Sequence, residues 1–177
     1  ANDGCLPGSC AISDGWECAG EGAGTICTRL YWPIVSCGDR INIDDTIYKI
    51  MNDLDTTEIS GSLCLRISAN NVVLNGNGKT LRLVYAPSSV GTGIEIKEKS
   101  NITIKNLTIL KFRAGIYIEN SGNITIENLN STDCTTILGN PGTCSAIEIR
   151  SSRNISIIGS HLYSNKAGIL TDSGDIK

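Results

Sequence analysis

Aromatic residues are scarce in this chain, only 5% of it, with one Phe and two Trp. So large a shortfall suits a thin aliphatic core better than a globular one. Lys and Arg do not cluster and the formal net charge is −3, so no nucleic-acid footprint is present. No apolar run approaches the length needed to span a bilayer. Histidine and methionine occur once each, and no Cys-x-x-Cys occurs, which weakens any zinc or copper reading. No signal peptide is present, and Ala1 is compatible with a mature terminus left by cleavage.

What the chain does have is a repeat. Gly93-Ile-Glu-Ile, Gly115-Ile-Tyr-Ile, Ala146-Ile-Glu-Ile and Gly168-Ile-Leu begin 22, 31 and 22 residues apart. Asn101-Ile-Thr-Ile, Asn123-Ile-Thr-Ile and Asn154-Ile-Ser-Ile follow at steps of 22 and 31. One 22-residue period explains both sets, with nine extra residues in one turn. A fixed period of this size marks a solenoid. Within each copy, β-branched residues alternate with polar ones, the pattern of half-buried strands.

The expected fold is therefore all-β, a right-handed parallel β-helix solenoid of about five coils stacked at roughly 4.8 Å. Ile94, Ile116, Ile147 and Ile169 should form one inward column, and Val72, Ile102, Ile124 and Ile155 another. Gly76, Asn106, Asn128 and Gly159 share one register position, and Gly and Asn enter the left-handed region most readily. A positive-φ corner is expected there in every coil.

Residues 1–37 belong to no repeat and read as a Cys/Gly-rich, disulfide-tied cap or arm over the first coil. Residues 38–177 read as the β-helix. Residues 41–54 are ambiguous: Ile43, Ile47, Ile50, Met51 and Leu54 fit a helix face capped by Asp44 or Asp45, while Thr46, Tyr48 and Ile50 fit a strand. Pattern alone leans to helix. The final Ser173-Gly-Asp-Ile-Lys resembles Ser121-Gly-Asn-Ile-Thr, so the sequence stops inside a coil. Either the chain is a piece of a longer protein, or end-to-end self-association completes the coil by strand addition.

Eight cysteines, an even number, point to an oxidising compartment and an extracellular or cell-surface location. Cys134 and Cys144 bracket the nine-residue excess and are expected to bridge. The spacing alone leaves the pairing of Cys5, Cys10, Cys18, Cys27, Cys37 and Cys64 open. Five Asn-x-Ser/Thr sequons occur. Asn101, Asn123 and Asn154 stand just before an inward residue, where stacked amides form an internal hydrogen-bonded ladder. N-linked glycans are therefore expected at Asn106 or Asn130 first.

Cys37-Gly-Asp, Asn52-Asp-Leu, Cys64 and Asn71-Val-Val-Leu-Asn-Gly-Asn-Gly-Lys-Thr-Leu resemble the opening of parallel β-helix repeat proteins, common in archaeal surface proteins. The same repeats occur in the NosD-like and carbohydrate-binding/sugar-hydrolase (CASH) groups. The resemblance implies strand rather than helix across residues 41–54, and a Cys37–Cys64 pair. It fixes no function, since lyases, epimerases, adhesins and surface-layer proteins share the repeat.

β-Helix enzymes work on an outer wall. Here the outward columns read Glu95, Tyr117, Glu148; Lys97, Glu119, Arg150; Thr103, Thr125, Ser156; and Lys105, Glu127, Ile158. Glu95 and Glu148, two coils apart, would lie roughly 9–10 Å from each other, near the upper end of inverting-glycosidase spacing. Alternating charge in the second column instead reads as a surface ladder that avoids repulsion. The paired Asp, Gly-His-Gly and Arg-Ile-Lys motifs of pectin hydrolases are missing, as is a pectate-lyase calcium cluster. Copper, suggested by the NosD-type name, lacks ligands; His161 reads as a solvated turn residue, and no cofactor is expected. Tyr85, Phe112, Tyr117 and Tyr163 form no single sugar-stacking column. The expectation is a structural or adhesive extracellular protein without a catalytic site. A polysaccharide-binding or carbohydrate-active wall at Glu95, Tyr117, Glu148 and Glu119 is the alternative.

Overall fold

The computed structural model describes residues 15–19, 26–56, 63–84, 91–133, 144–163 and 166–177. Among them every regular element is a strand: β1 (Trp16–Ala19), β2 (Ile26–Arg29), β3 (Trp32–Ile34), β4 (Arg40–Ile41), β5 (Ile47–Ile50), β6 (Leu54–Asp55), β7 (Leu63–Ile67), β8 (Val72–Asn75), β9 (Thr80–Arg82), β10 (Thr92–Lys97), β11 (Ser100–Leu110), β12 (Ala114–Glu119), β13 (Gly122–Thr132), β14 (Ser145–Arg150), β15 (Arg153–Ile158), β16 (His161–Leu162) and β17 (Ala167–Thr171). No described helix is long and apolar enough to cross a membrane.

Parallel pairing stacks these strands into a three-sided coil. One side is the sheet β17-β14-β12-β10-β7-β4, and the second is β15-β13-β11-β8-β5-β3. The third is formed by β6, β9, the distal arms of β11 and β13, and β16. β1 and β2 form a separate antiparallel pair in whose backbone register Cys18 is the partner of Cys27. β3 is the outermost described strand of the second side and pairs with β5, extending that side by one rung.

Both inward columns stand in the expected register. Ile94, Ile116, Ile147 and Ile169 are successive partners, as are Val72, Ile102, Ile124 and Ile155. All are buried except Ile169, which is 40% exposed on the last rung. Each fully buried Val or Ile contributes about 1.5–3 kcal/mol, so these columns carry much of the stability.

Residues 41–54 hold strands, not a helix, as the family resemblance implied and against the apolar spacing. Two of the supposed helix-face residues, Ile43 and Ile47, are 40% and 48% exposed. Asp45 takes φ 56°, which no helix interior tolerates. Tyr48 is buried, and its hydroxyl accepts the Asn42 and Ile43 amides at 3.2 and 3.0 Å, tying the corner to the strand.

The corner register holds in three of its four copies. Asn106, Asn128 and Gly159 have φ of 55°, 51° and 57°. Gly76 does not share that φ; at its corner the left-handed residues are Asn77 and Gly78. Gly76 answers to close packing, because a Cβ there would lie 2.5 Å from the Asn106 carbonyl oxygen. The coil also turns at positive φ in three further places: Glu98, Asn120 and Ser151; Asn101, Asn123 and Asn154; Lys111 and Asp133. Serine hydroxyls line one turn, where Ser121, Ser152 and Ser173 each accept an amide from the preceding coil at 3.2, 3.0 and 2.9 Å.

Cys37 and Cys64 form a disulfide across 27 residues, as the resemblance implied. It ties the entry of the first coil to β7. Cys144 is also disulfide-bonded. Cys134, Cys5 and Cys10 lie outside the described residues.

Candidate functional site

The outer wall of β7, β10, β12 and β14 brings together the residues the sequence put forward. Glu95, Tyr117 and Glu148 are consecutive partners, and so are Lys97, Glu119 and Arg150. Parallel stacking at about 4.8 Å makes each side chain the immediate neighbour of its counterpart.

Every carboxylate of this wall is held by a cation. Glu95 receives Arg66 at 2.7 Å and Lys97 at 3.2 Å. Lys97 also reaches Glu119 at 3.3 Å and sits 5.3 Å from the Tyr117 ring centre. Glu148 takes Arg113 on Oε2 at 2.7 Å, and both Nε and Nη2 of Arg150 on Oε1 at 3.2 and 3.0 Å. Arg150 extends the chain to Asp172 at 3.7 Å.

These contacts leave their mark on the titrating groups. The Lys97 ammonium is raised, chiefly by its hydrogen bond to Glu95. The Arg150 guanidinium is raised by its hydrogen bond to Glu148. Tyr117 is raised by burial first and by Glu119 next, so its phenol keeps its proton. Asp172 is lowered, mainly by the Ser151 amide.

Glu148 is the surprise. An outward position predicts exposure, yet its side chain is 5% exposed beneath Arg113 and Arg150. Both of its oxygens are engaged by guanidinium donors. General acid–base work needs an oxygen that meets the substrate, and here the two glutamates are separated by Tyr117 and capped by cations. The arrangement is a charge network that fastens coil to coil. Arg66 and Arg113 complete it. Neither could be read from the repeat, since β7 lacks the Gly-Ile-x-Ile segment and Arg113 precedes it.

The sequon asparagines form ladders. Asn101 donates Nδ2 to Oδ1 of Asn71 at 2.8 Å, Asn123 to Asn101 at 3.1 Å, and Asn154 to Asn123 at 3.0 Å. The ladder is exposed at a left-handed corner rather than internal, so burial does not set these amides apart. The reason is the positive φ, which swings the side chain off the strand face. Asn106 belongs to a second ladder, donating to Asn75 at 3.4 Å and accepting from Asn128 at 3.1 Å. Asn130 is half-buried with its Oδ1 enclosed.

Among the described residues, no group of three or more His, Cys, Asp or Glu gathers as a metal site would require. His161 pairs with Asn130 at the start of β16 and is exposed.

Comparison with curated proteins and with solved structures returns no match. A family model described as "Right handed beta helix region" matches residues 34–177, more than half of the chain. It begins within β3, the outermost rung of the second side, and runs through β17. Together with the parallel stacking and the two inward columns, this match makes the chain a member of the right-handed β-helix family.

Proposed function

We propose that this β-helix is a non-enzymatic extracellular structural or adhesive surface protein that assembles through strand addition at the edge of β17. The observation that supports this reading is the wall itself. Glu95, Glu119 and Glu148, the residues best placed for chemistry, are each held in an ion pair to a neighbouring coil, by Arg66, Lys97 and Arg113. An N-linked glycan fits best at Asn130, the sequon whose amide nitrogen carries no ladder bond, and an oxidising compartment fits the Cys37–Cys64 bridge.

Strand addition is proposed at β17, which among the described residues pairs with β14 alone, and whose Ile169 belongs to an inward column but is 40% exposed. An uncovered strand edge templates further pairing. A second copy stacking there buries Ile169, and repetition of a heterologous contact yields a filament.

Sedimentation of the 177-residue chain at rising concentration tests this. The expected result is a mass that grows with concentration and returns to the monomer on Ile169→Lys. A chain that stays monomeric throughout overturns the assembly.

A further inference from the structure

At the N-terminal end of the same wall, the charge pairing breaks down. Arg40 on β4 and Arg66 on β7 are direct partners on adjacent rungs. Their backbones are therefore about 4.8 Å apart, and like charges placed directly opposite repel. Further along the wall a cation meets a carboxylate: Arg66 with Glu95, Lys97 with Glu119, Arg150 with Glu148. Arg40 makes no ion pair among the described residues. The ion-pair chain Arg66–Glu95–Lys97–Glu119 balances two positive charges against two negative, and the surplus is Arg40, which stands outside it.

This surplus lines a cavity of about 520 Å³, with Asp39, Asn42 and Ser68 beside the two arginines. The volume falls within the range of small-ligand sites, roughly 300–1,000 Å³. Asp39 does not neutralise the arginines by contact. Its Oδ2 accepts the Val35 and Ser36 amides at 2.7 and 3.0 Å, and its Oδ1 accepts the Ser36 hydroxyl at 3.0 Å. The hydrogen bond from Arg66 to Glu95 uses Nε alone, which leaves its Nη groups as donors. The cavity wall is stiffened by the disulfide, since Cys64 contributes to the lining.

We propose that this cavity is an oxyanion-binding site, in which the Arg40 and Arg66 guanidinium groups together grip one carboxylate or sulfate group of a ligand. Two planar guanidinium forks on adjacent rungs match an oxyanion's geometry and relieve their mutual repulsion by binding it. Asn42 and Ser68 supply neutral polar groups for the remainder of the ligand. The site is argued from β4 and β7 alone and does not rest on the assembly proposed above.

Calorimetric titration of the full chain tests the proposal with three probes: a glucuronate-containing oligosaccharide, its neutral methyl ester, and sodium sulfate. The oligosaccharide is expected to bind and the methyl ester not to. Arg40→Gln should weaken binding by about tenfold or more, with Arg40→Lys in between and added salt weakening the wild type. Unchanged circular dichroism in both variants separates loss of the site from loss of the fold. Tighter binding of the oligosaccharide than of sulfate assigns an acidic saccharide, and equal binding assigns a free anion. Failure of both charged probes, or equal binding of the ester, overturns the site, as does an Arg40→Gln variant that binds like the wild type.

Discussion

Replacing Asn123 with alanine separates the two jobs of the asparagine ladder. Asn123 sits at φ 56°, donates to Asn101 at 3.1 Å and accepts from Asn154 at 3.0 Å. The left-handed backbone costs a residue with a Cβ about 1–2 kcal/mol, a penalty that Asn partly escapes by its local hydrogen bonding. Each lost hydrogen bond removes about 0.5–1.5 kcal/mol, and the exposure of this ladder puts both at the low end. Asn123→Ala should therefore cost about 2–3 kcal/mol. Asn123→Gly loses the same two bonds but accepts the left-handed φ freely, so it should cost only about 1–2 kcal/mol after the entropy of glycine is counted. In a domain of this size 1 kcal/mol shifts Tm by about 2–4 °C, which a thermal melt resolves. Alanine and glycine variants melting together would show that φ is not what the corner demands. Both melting with the wild type would dismiss the ladder as a stabilising element.

Gly115→Ala places a Cβ 2.5 Å from the Ala146 carbonyl oxygen and 2.9 Å from the Ser131 Oγ, whereas at Gly168 the nearest atom is 3.7 Å away. A urea melt should show the first losing about 1–3 kcal/mol by overpacking and the second gaining up to about 1 kcal/mol. Glu148→Gln strips the buried carboxylate from two guanidinium groups and should cost about 1–3 kcal/mol, read as a drop in the denaturation midpoint. Asp172 has its folded pKa depressed below the usual 3.8. Its contribution is therefore present above that value and is lost as pH falls through the folded pKa; an NMR titration should place its midpoint below 3.8, and a midpoint at or above it would contradict the Ser151 contact.

Much of the solenoid was legible because the chain carries its own copies. The Gly-Ile-x-Ile and Asn-Ile-Thr-Ile segments fixed both inward columns and the outward pairing of Glu95, Tyr117 and Glu148 without any other protein for comparison. The corner at Asn106 and Asn128 was legible because its residue type repeats. The turns at Glu98, Asn120 and Ser151, and at Lys111 and Asp133, were not, since no residue type recurs there although φ does. Residues 41–54 misled because Ile43 and Ile47 are apolar yet face outward, which gives a strand the spacing of a helix. The ladder was foreseen as hydrogen-bonded but set inside, because alternation along a strand says nothing of a residue turned aside by positive φ. The arginines over Glu148 were missed for a related reason: period-2 patterning assigns a face, while burial on that face depends on the long side chains folded across it.

The proposed extracellular location of this disulfide-tied β-helix is tested most directly by non-reducing peptide mapping of the protein from its native source. Mass spectrometry after alkylation should find Cys37 and Cys64 in one cross-linked peptide and glycan mass on the peptide carrying Asn130. Alkylated Cys37 and Cys64, with every sequon peptide at its bare mass, would contradict the extracellular account.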